Sequence, residues 1–466
     1  MTTSERSPGR VLGLLFLGVL MAALDIAIIG PALPAIGTSF GVDARTVAWV
    51  ISLYLIFDLI GTPLLASLSD ARGRRSIYVL SVGLFATGSL VVALSPTFGV
   101  LLAGRALQGF GAGGIFPVAS AVIGDLFPVE RRGRALGLIG AVFGLAFLIG
   151  PVLGGVLLRF GWPVLFLVNL PLAALVIAGA LRLLPDTRAE HARKIDVPGL
   201  ALLSLIVFGL AFGLNRIDAA HVGASLASPL VWGFLGGGAL LMPLFWRRER
   251  RAPSPMLRPE FLGRRQVKLA CALALGAGLT EASVVFAPAL LVADFHVSVE
   301  RASFMLLPIV VAMALGAPAA GRMLDRVGSR AVILSGTILI GVGLLLVGVV
   351  GHTVAGFYLA GATIGLGLAA LVGSSLRYVI LNEAPAGARG VTQGVLTIFT
   401  TTGQLVGAAL IGALVASHGG LTNGYVLAFD VVGAVMLALA AAALGLKSRP
   451  QELAAAAAPQ NAQPAV

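Results

Sequence analysis

Charge is what this chain has least of. Of its 466 residues only 11% are Asp, Glu, Lys or Arg, 58% are hydrophobic, and the mean hydropathy is +1.00. Soluble domains carry roughly 25% charged residues, so the chain has too little polar side chain to coat a particle in water. Lipid must be its solvent, and hydrophobic spans rather than length set its organisation. Cysteine is almost absent. Cys271 stands alone, which excludes an intramolecular disulfide and a thiolate metal cluster. The five histidines are scattered in loops and near span ends, so neither a metal site nor the cluster of a membrane-embedded enzyme is expected. No added soluble domain is visible to support a sensor or receptor scaffold. The net charge of +12 does not imply a nucleic-acid partner, because the basic residues sit in short loops instead of on one face.

Nucleotide motifs are missing too. No Gly-x-x-x-x-Gly-Lys-Ser/Thr run exists, so energy is expected from a proton or substrate gradient, with no cofactor. Gly109-x-Gly111-x-x-Gly114 fits a dinucleotide pattern but lies inside an apolar span. Gly37-Thr-Ser39-Phe-Gly41 fits a hydrolase pattern but lies in a short loop without the strand-turn-helix setting.

What is present is a succession of apolar runs, each near the 20 residues needed to cross a bilayer. Six are read in residues 1–184, two in 185–266 and six in 267–446, while 447–466 reads as a disordered tail. The first run contains an Asp and leads directly into further spans, so it is expected to be a retained helix. With both termini cytoplasmic, 26 of the 32 basic residues fall on the cytoplasmic side, as the positive-inside rule requires. The opposite side holds Arg45, Arg159, Arg216 and Arg301, and Arg105 and Arg377 fall inside spans. Trp49, Trp162, Trp232 and Trp246 lie at or near span ends, as an interfacial belt would. The fold class is therefore all-α and integral to the membrane, with fourteen spans.

The chain also repeats itself. The loop after span 2 carries Asp70, Gly73, Arg74 and Arg75. The loop after span 10 carries Gly321, Asp325, Arg326, Gly328 and Arg330. Asp70 and Asp325 are 255 residues apart. Asp25 in span 1 and Glu281 in span 9 precede these loops by nearly equal distances, so each half carries an intramembrane carboxylate. Parallel repeats around a midplane site are a transporter architecture.

These loops resemble the signature between helices 2 and 3 of the major facilitator superfamily, although Ala66 and Ala71 depart from it in the first copy. Leu101, Arg105, Gln108, Gly109 and Gly111 resemble a second family motif. Gly137, Ala146, Gly150, Pro151, Gly154 and Gly155 resemble the antiporter signature with one Gly replaced by Ala. Leu24-Asp25 and Ala32-Leu33-Pro34 are similar to part of the pattern of fourteen-helix drug/proton antiporters, from which Gly30 and Pro31 depart. The resemblance implies two six-helix bundles with two inserted transmembrane helices, in the inner (plasma) membrane. It also implies that the span 5 motif seals the bundle against leakage and bends during exchange.

An Asp at a helix end can accept hydrogen bonds from a neighbouring helix N-terminus and pair with Arg, so the two loops are expected to form a cytoplasmic gate. Pro151 should kink span 5 and its glycines should let another helix approach closely. A central Asp or Arg costs roughly 2.5–3.5 kcal/mol on insertion scales, so intramembrane charges usually carry function. Asp25 and Arg105 are expected to meet in the outer half of the first bundle. Asp25 is expected to lead proton coupling, assisted by Asp58, Glu281 and Arg105; a static buried ion pair fits the same positions. Asp430 and Arg377 are read as structural. Tyr54, Asp58 and Thr62 form one polar stripe at intervals of four. With Gln108, Gln393, Thr397 and Gln404, Tyr54 and Thr62 are expected to line the substrate cavity, although interhelical hydrogen bonding explains the span 13 residues equally well.

The expected activity is proton-coupled export of hydrophobic or amphipathic compounds, cationic ones included, by a monomer whose other partners are protons and the bilayer. Export of a lipid or lipid-linked molecule is the competing expectation. The mostly aliphatic, Phe-rich cavity walls suit greasy substrates better than sugars.

Overall fold

The computed structural model describes residues 8–42, 44–47, 49–185, 196–215, 224–225, 227–252, 259–384, 389–418 and 421–457. Among them no strand occurs. That follows from the solvent: in hydrocarbon a span must satisfy its own N–H and C=O groups, which a helix does.

The helices of the first half are α1 (Pro8–Phe40), α2 (Trp49–Arg72), α3 (Arg74–Ala93), α4 (Phe98–Leu126), α5 (Val129–Leu158) and α6 (Val164–Leu183). Next come α7 (Val197–Asn215) and α8 (Pro229–Arg251). The second half contains α9 (Arg265–Phe295), α10 (Leu307–Val327), α11 (Ser329–Val350), α12 (Val354–Glu383), α13 (Arg389–Ser417) and α14 (Thr422–Ala443). Twelve helices among the described residues are long and apolar enough to cross a membrane. The two further long helices α5 and α7, of 30 and 19 residues, lie where the sequence places spans.

The short α2–α3 and α10–α11 turns explain the repeated Asp-x-x-Gly. Gly73 and Gly328 both take positive φ, 102° and 87°, a region that a Cβ disfavours. Each glycine also lies directly before the first residue of the next helix.

The halves meet along two seams that exchange equivalent helices: α5 lies against α10, and α13 against α2. Glycines make the first seam close. A Cβ on Gly137 would lie 2.7 Å from the Ala317 carbonyl oxygen of α10, and one on Gly140 would lie 2.2 Å from that of Gly373 in the neighbouring α12. The inserted α7 packs on α8, on α2 and on α13, so it lies over the second seam. Trp49 of α2 meets Phe212 of α7 at 5.7 Å between ring centroids, and Phe234 of α8 meets Phe212 at 4.4 Å.

The tail departs from expectation. Residues Arg449–Ala457 form a helix, α15, and 458–466 lie outside the described residues. Alanine favours helix, and the segment is docked by its charges. Glu452 accepts hydrogen bonds from the backbone N–H and hydroxyl of Ser329 at the start of α11, while Arg449 donates to the Tyr378 hydroxyl at 2.8 Å. Burial pushes the Glu452 carboxyl up from its ordinary range, against the pull of the Ser329 bonds and of Arg449.

Candidate functional site

The first half holds a sealed polar network. Asp25 of α1 is 0% exposed and Arg105 of α4 is 1% exposed. Arg105 Nη1 donates to Asp25 Oδ2 at 2.7 Å, as expected from the sequence, and also to Gln108 Oε1 at 2.7 Å. Its Nε donates to the Val50 carbonyl at 2.9 Å, and its guanidinium lies 4.3 Å from the centre of the Tyr54 ring. Asp25 Oδ1 accepts from Gln108 Nε2 at 2.7 Å and from Asn169 Nδ2 at 2.8 Å. Both amides also donate to Ser89 Oγ. Helices α1, α2, α3, α4 and α6 are thereby joined through one charge pair whose desolvation is offset by hydrogen bonds.

The ends of the helices on the arginine-rich side hold the halves together. Asp325 at the end of α10 accepts from the backbone N–H groups of Gly133 and Arg134 in α5, each at 2.9 Å. Its counterpart Asp70 accepts from the Gly390 N–H in the first turn of α13 at 3.1 Å. These are the two seams, each closed by a carboxylate near the positive end of a helix of the other half. Asp70 also pairs with Arg74, which reaches Asp125 at 2.9 Å. Asp125 in turn pairs with Arg389 of the second half at 2.7 Å. Arg132 of α5 donates to Asn382 of α12 at 2.7 Å.

The other loop residues are less involved. Arg75 donates to the Leu181 carbonyl at 3.5 Å. Arg326 is exposed and Arg330 half-buried. Gly321 lies against α5, where its Cβ would sit 2.5 Å from the Gly133 carbonyl oxygen.

The antiporter-like motif serves two neighbours. Gly137 faces α10. Gly150 and Gly154 face α1, where a Cβ on Gly150 would be 2.4 Å from that of Ala27. Gly155 is exposed. Pro151 lies within α5, and its side chain is outside what the structure describes.

Asp58 of α2 and Glu281 of α9 keep partial exposure. The Asp58 carboxylate has no hydrogen-bond or ion-pair partner among the described residues, whereas Glu281 accepts from Gln404 Nε2. Thr397 and Gln404 of α13 are also partly exposed. The other expected cavity residues differ from the expectation: Tyr54, Thr62, Gln108 and Gln393 are buried. Tyr54 and Gln108 are occupied by the Arg105 network, the Thr62 hydroxyl donates to the Asp58 carbonyl at 2.9 Å, and Gln393 Nε2 donates to the Arg377 carbonyl at 3.0 Å.

Sequence reasoning missed Ser89, Asn169, Asp125 and Arg389, and it treated Arg377 as structural. Arg377 of α12 lies against the other half, its guanidinium carbon 3.9 Å from the centre of the Phe116 ring of α4. A π-helical segment, Leu371–Ser375, ends two residues before it.

Comparison with known proteins agrees with this architecture. The profile of the Major Facilitator Superfamily matches residues 15–279 and 269–466. An uncharacterized MFS-type transporter of Bacillus subtilis, YfiU, is 33% identical over 89% of this chain and 81% of its own length. Multidrug resistance protein Stp of Mycobacterium tuberculosis is 30% identical over 86% of this chain and 74% of its own. The tetracenomycin C resistance and export protein of Streptomyces glaucescens is 30% identical over 86% and 75%. Among solved structures, human MFSD10 shares the fold with a TM-score of 0.70 at 21% identity, covering 94% of this chain and 100% of that one. The chain belongs to the major facilitator superfamily, as a multi-pass transporter of the cell's inner membrane and not an enzyme.

Proposed function

We propose that the protein exports hydrophobic or amphipathic compounds in exchange for protons, by alternating access, as a monomeric efflux pump of the multidrug type. In this reading it has fourteen spans, both termini are cytoplasmic, and the arginine-rich side faces the cytoplasm. One observation carries the reading: the two seams are closed on that side by the Asp325 and Asp70 caps, while Asp58, one turn before Thr62 on α2, keeps partial exposure and has no side-chain partner among the described residues. Such caps release without breaking any helix, as a rocking motion requires. Relatives named for drug resistance and for resistance and export support the substrate class.

The geometry favours Asp58 over Asp25 as the principal proton carrier, with Glu281 second. Three side-chain donors hold Asp25 away from any space a proton or substrate can enter. Asp25 then serves to hold Arg105. Asp58 combines partial exposure with no side-chain partner among the described residues, so it is the carboxylate better placed to gain and lose a proton.

Reconstitution tests this directly. Proteoliposomes with an imposed pH gradient and a panel of cationic dyes and fluorescent lipids should show dye movement coupled to proton flux. Asp58→Asn should abolish the coupled flux without lowering the yield of folded protein. Proton flux that survives Asp58→Asn sinks the assignment. Dye transport that is indifferent to collapse of the gradient sinks proton coupling, and movement of the lipids alone turns the reading to lipid export.

A further inference from the structure

We propose that Arg377 is the binding site for an acidic group on the transported compound, covered by Phe116 in the state described and uncovered when α4 and α12 part. This rests on the export reading and names the class of substrate: an aromatic amphiphile bearing a carboxylate, sulfonate or phenolate.

Arg377 is only 8% exposed, yet its guanidinium is short of acceptors. Its one side-chain hydrogen bond among the described residues runs from Nη1 to Gln393 Oε1 at 3.5 Å, at the outer limit of such a bond. Its buried Nε has no acceptor. Glu281 is near enough to act on its charge, but no ion pair forms between them, and the Glu281 carboxylate is bonded to Gln404. A buried guanidinium in this condition is unfavourable. A carboxylate or sulfonate supplies the acceptors it lacks, in the plane of its fork.

The surroundings suit such a ligand. Ser374, three residues before Arg377 in the π-helical segment, has a buried hydroxyl without a partner among the described residues, as does Ser120 of α4, one turn from Phe116. Segments of this kind often mark functional positions in helices. Phe116 meets Phe143 edge-on at 5.2 Å, which provides an aromatic wall beside the cation. Phe116 belongs to the first half and Arg377 to the second, so any opening of the arginine-rich side separates the ring from the guanidinium. The cation would then face the compartment from which an exporter loads.

The test uses the full chain in lipid nanodiscs and three probes titrated by calorimetry: naphthalene-2-sulfonate, uncharged 2-naphthylmethanol, and (2-naphthylmethyl)trimethylammonium. Wild type should bind the sulfonate at least tenfold more tightly than the alcohol. Arg377→Gln should remove that preference and leave alcohol binding within twofold, and Arg377→Lys should retain part of it. A wild-type protein that binds the alcohol as well as the sulfonate overturns the proposal without any variant. So does unchanged sulfonate binding in Arg377→Gln, or an equal loss for all three probes, which would indicate general distortion. Dye export measured on the same wild-type protein tests the efflux reading separately.

Discussion

Arg105 and Arg377 are both buried in the membrane, one in each half, and they are treated oppositely. Arg105 has a carboxylate, an amide oxygen and a backbone carbonyl within 2.9 Å, and a tyrosine ring beneath it. Arg377 has a phenylalanine from the other half and one long bond to a glutamine. A charge can be kept out of water when its donors are matched, and the matched set then behaves as a rigid rivet. An unmatched one is a site held in reserve. The first half is therefore pinned through its middle, while the second sets its buried cation against a ring of the first.

The strongest way to break the contrast is to remove each cation in turn. Arg105→Met leaves Asp25 buried without its countercharge and should cost about 3–5 kcal/mol of stability. Arg377→Met should cost less, because the long Gln393 bond and the Phe116 ring contact that it loses are offset by removal of a poorly matched buried cation. Thermal melting in detergent reads both, and equal losses would erase the distinction. A smaller effect is expected at Gly140, whose Cβ would collide with the Gly373 carbonyl in the π-helical segment. Gly140→Leu should wedge α5 from α12, uncovering Arg377 while leaving Arg105 sealed. Spin labels on exposed positions 131 and 326 should then report a longer distance. Asp325→Asn should act more gently. Loss of one charged cap is worth about 1 kcal/mol, roughly fivefold in the open-to-closed ratio, read from the same labels.

How much of this was legible depended on how strongly each feature is constrained. Long apolar runs have one physical solution in lipid, so the helices followed from hydropathy. The cost of an intramembrane charge flagged Asp25 and Arg105, and their depths brought them together. The fixed spacing of Asp and Gly betrayed both caps, because a turn with positive φ needs the glycine.

Ser89 and Asn169 gave no such signal. Each is a single polar residue on its own helix, and only packing makes them partners. Asp125 and Arg389 looked like ordinary loop charge under the positive-inside rule, which counts residues without pairing them. The Phe116 ring over Arg377 was not foreseen, because depth along a helix does not reveal which neighbour covers a side chain. The alanine run of α15 looked featureless, since its anchors, Arg449 and Glu452, take their meaning from Ser329 and Tyr378 far away in sequence.

The inserted α7 breaks the symmetry that the two seams otherwise share. Because it packs across both α2 and α13, a third helix spans that seam. A wedge driven into the two seams would therefore meet unequal numbers of helices.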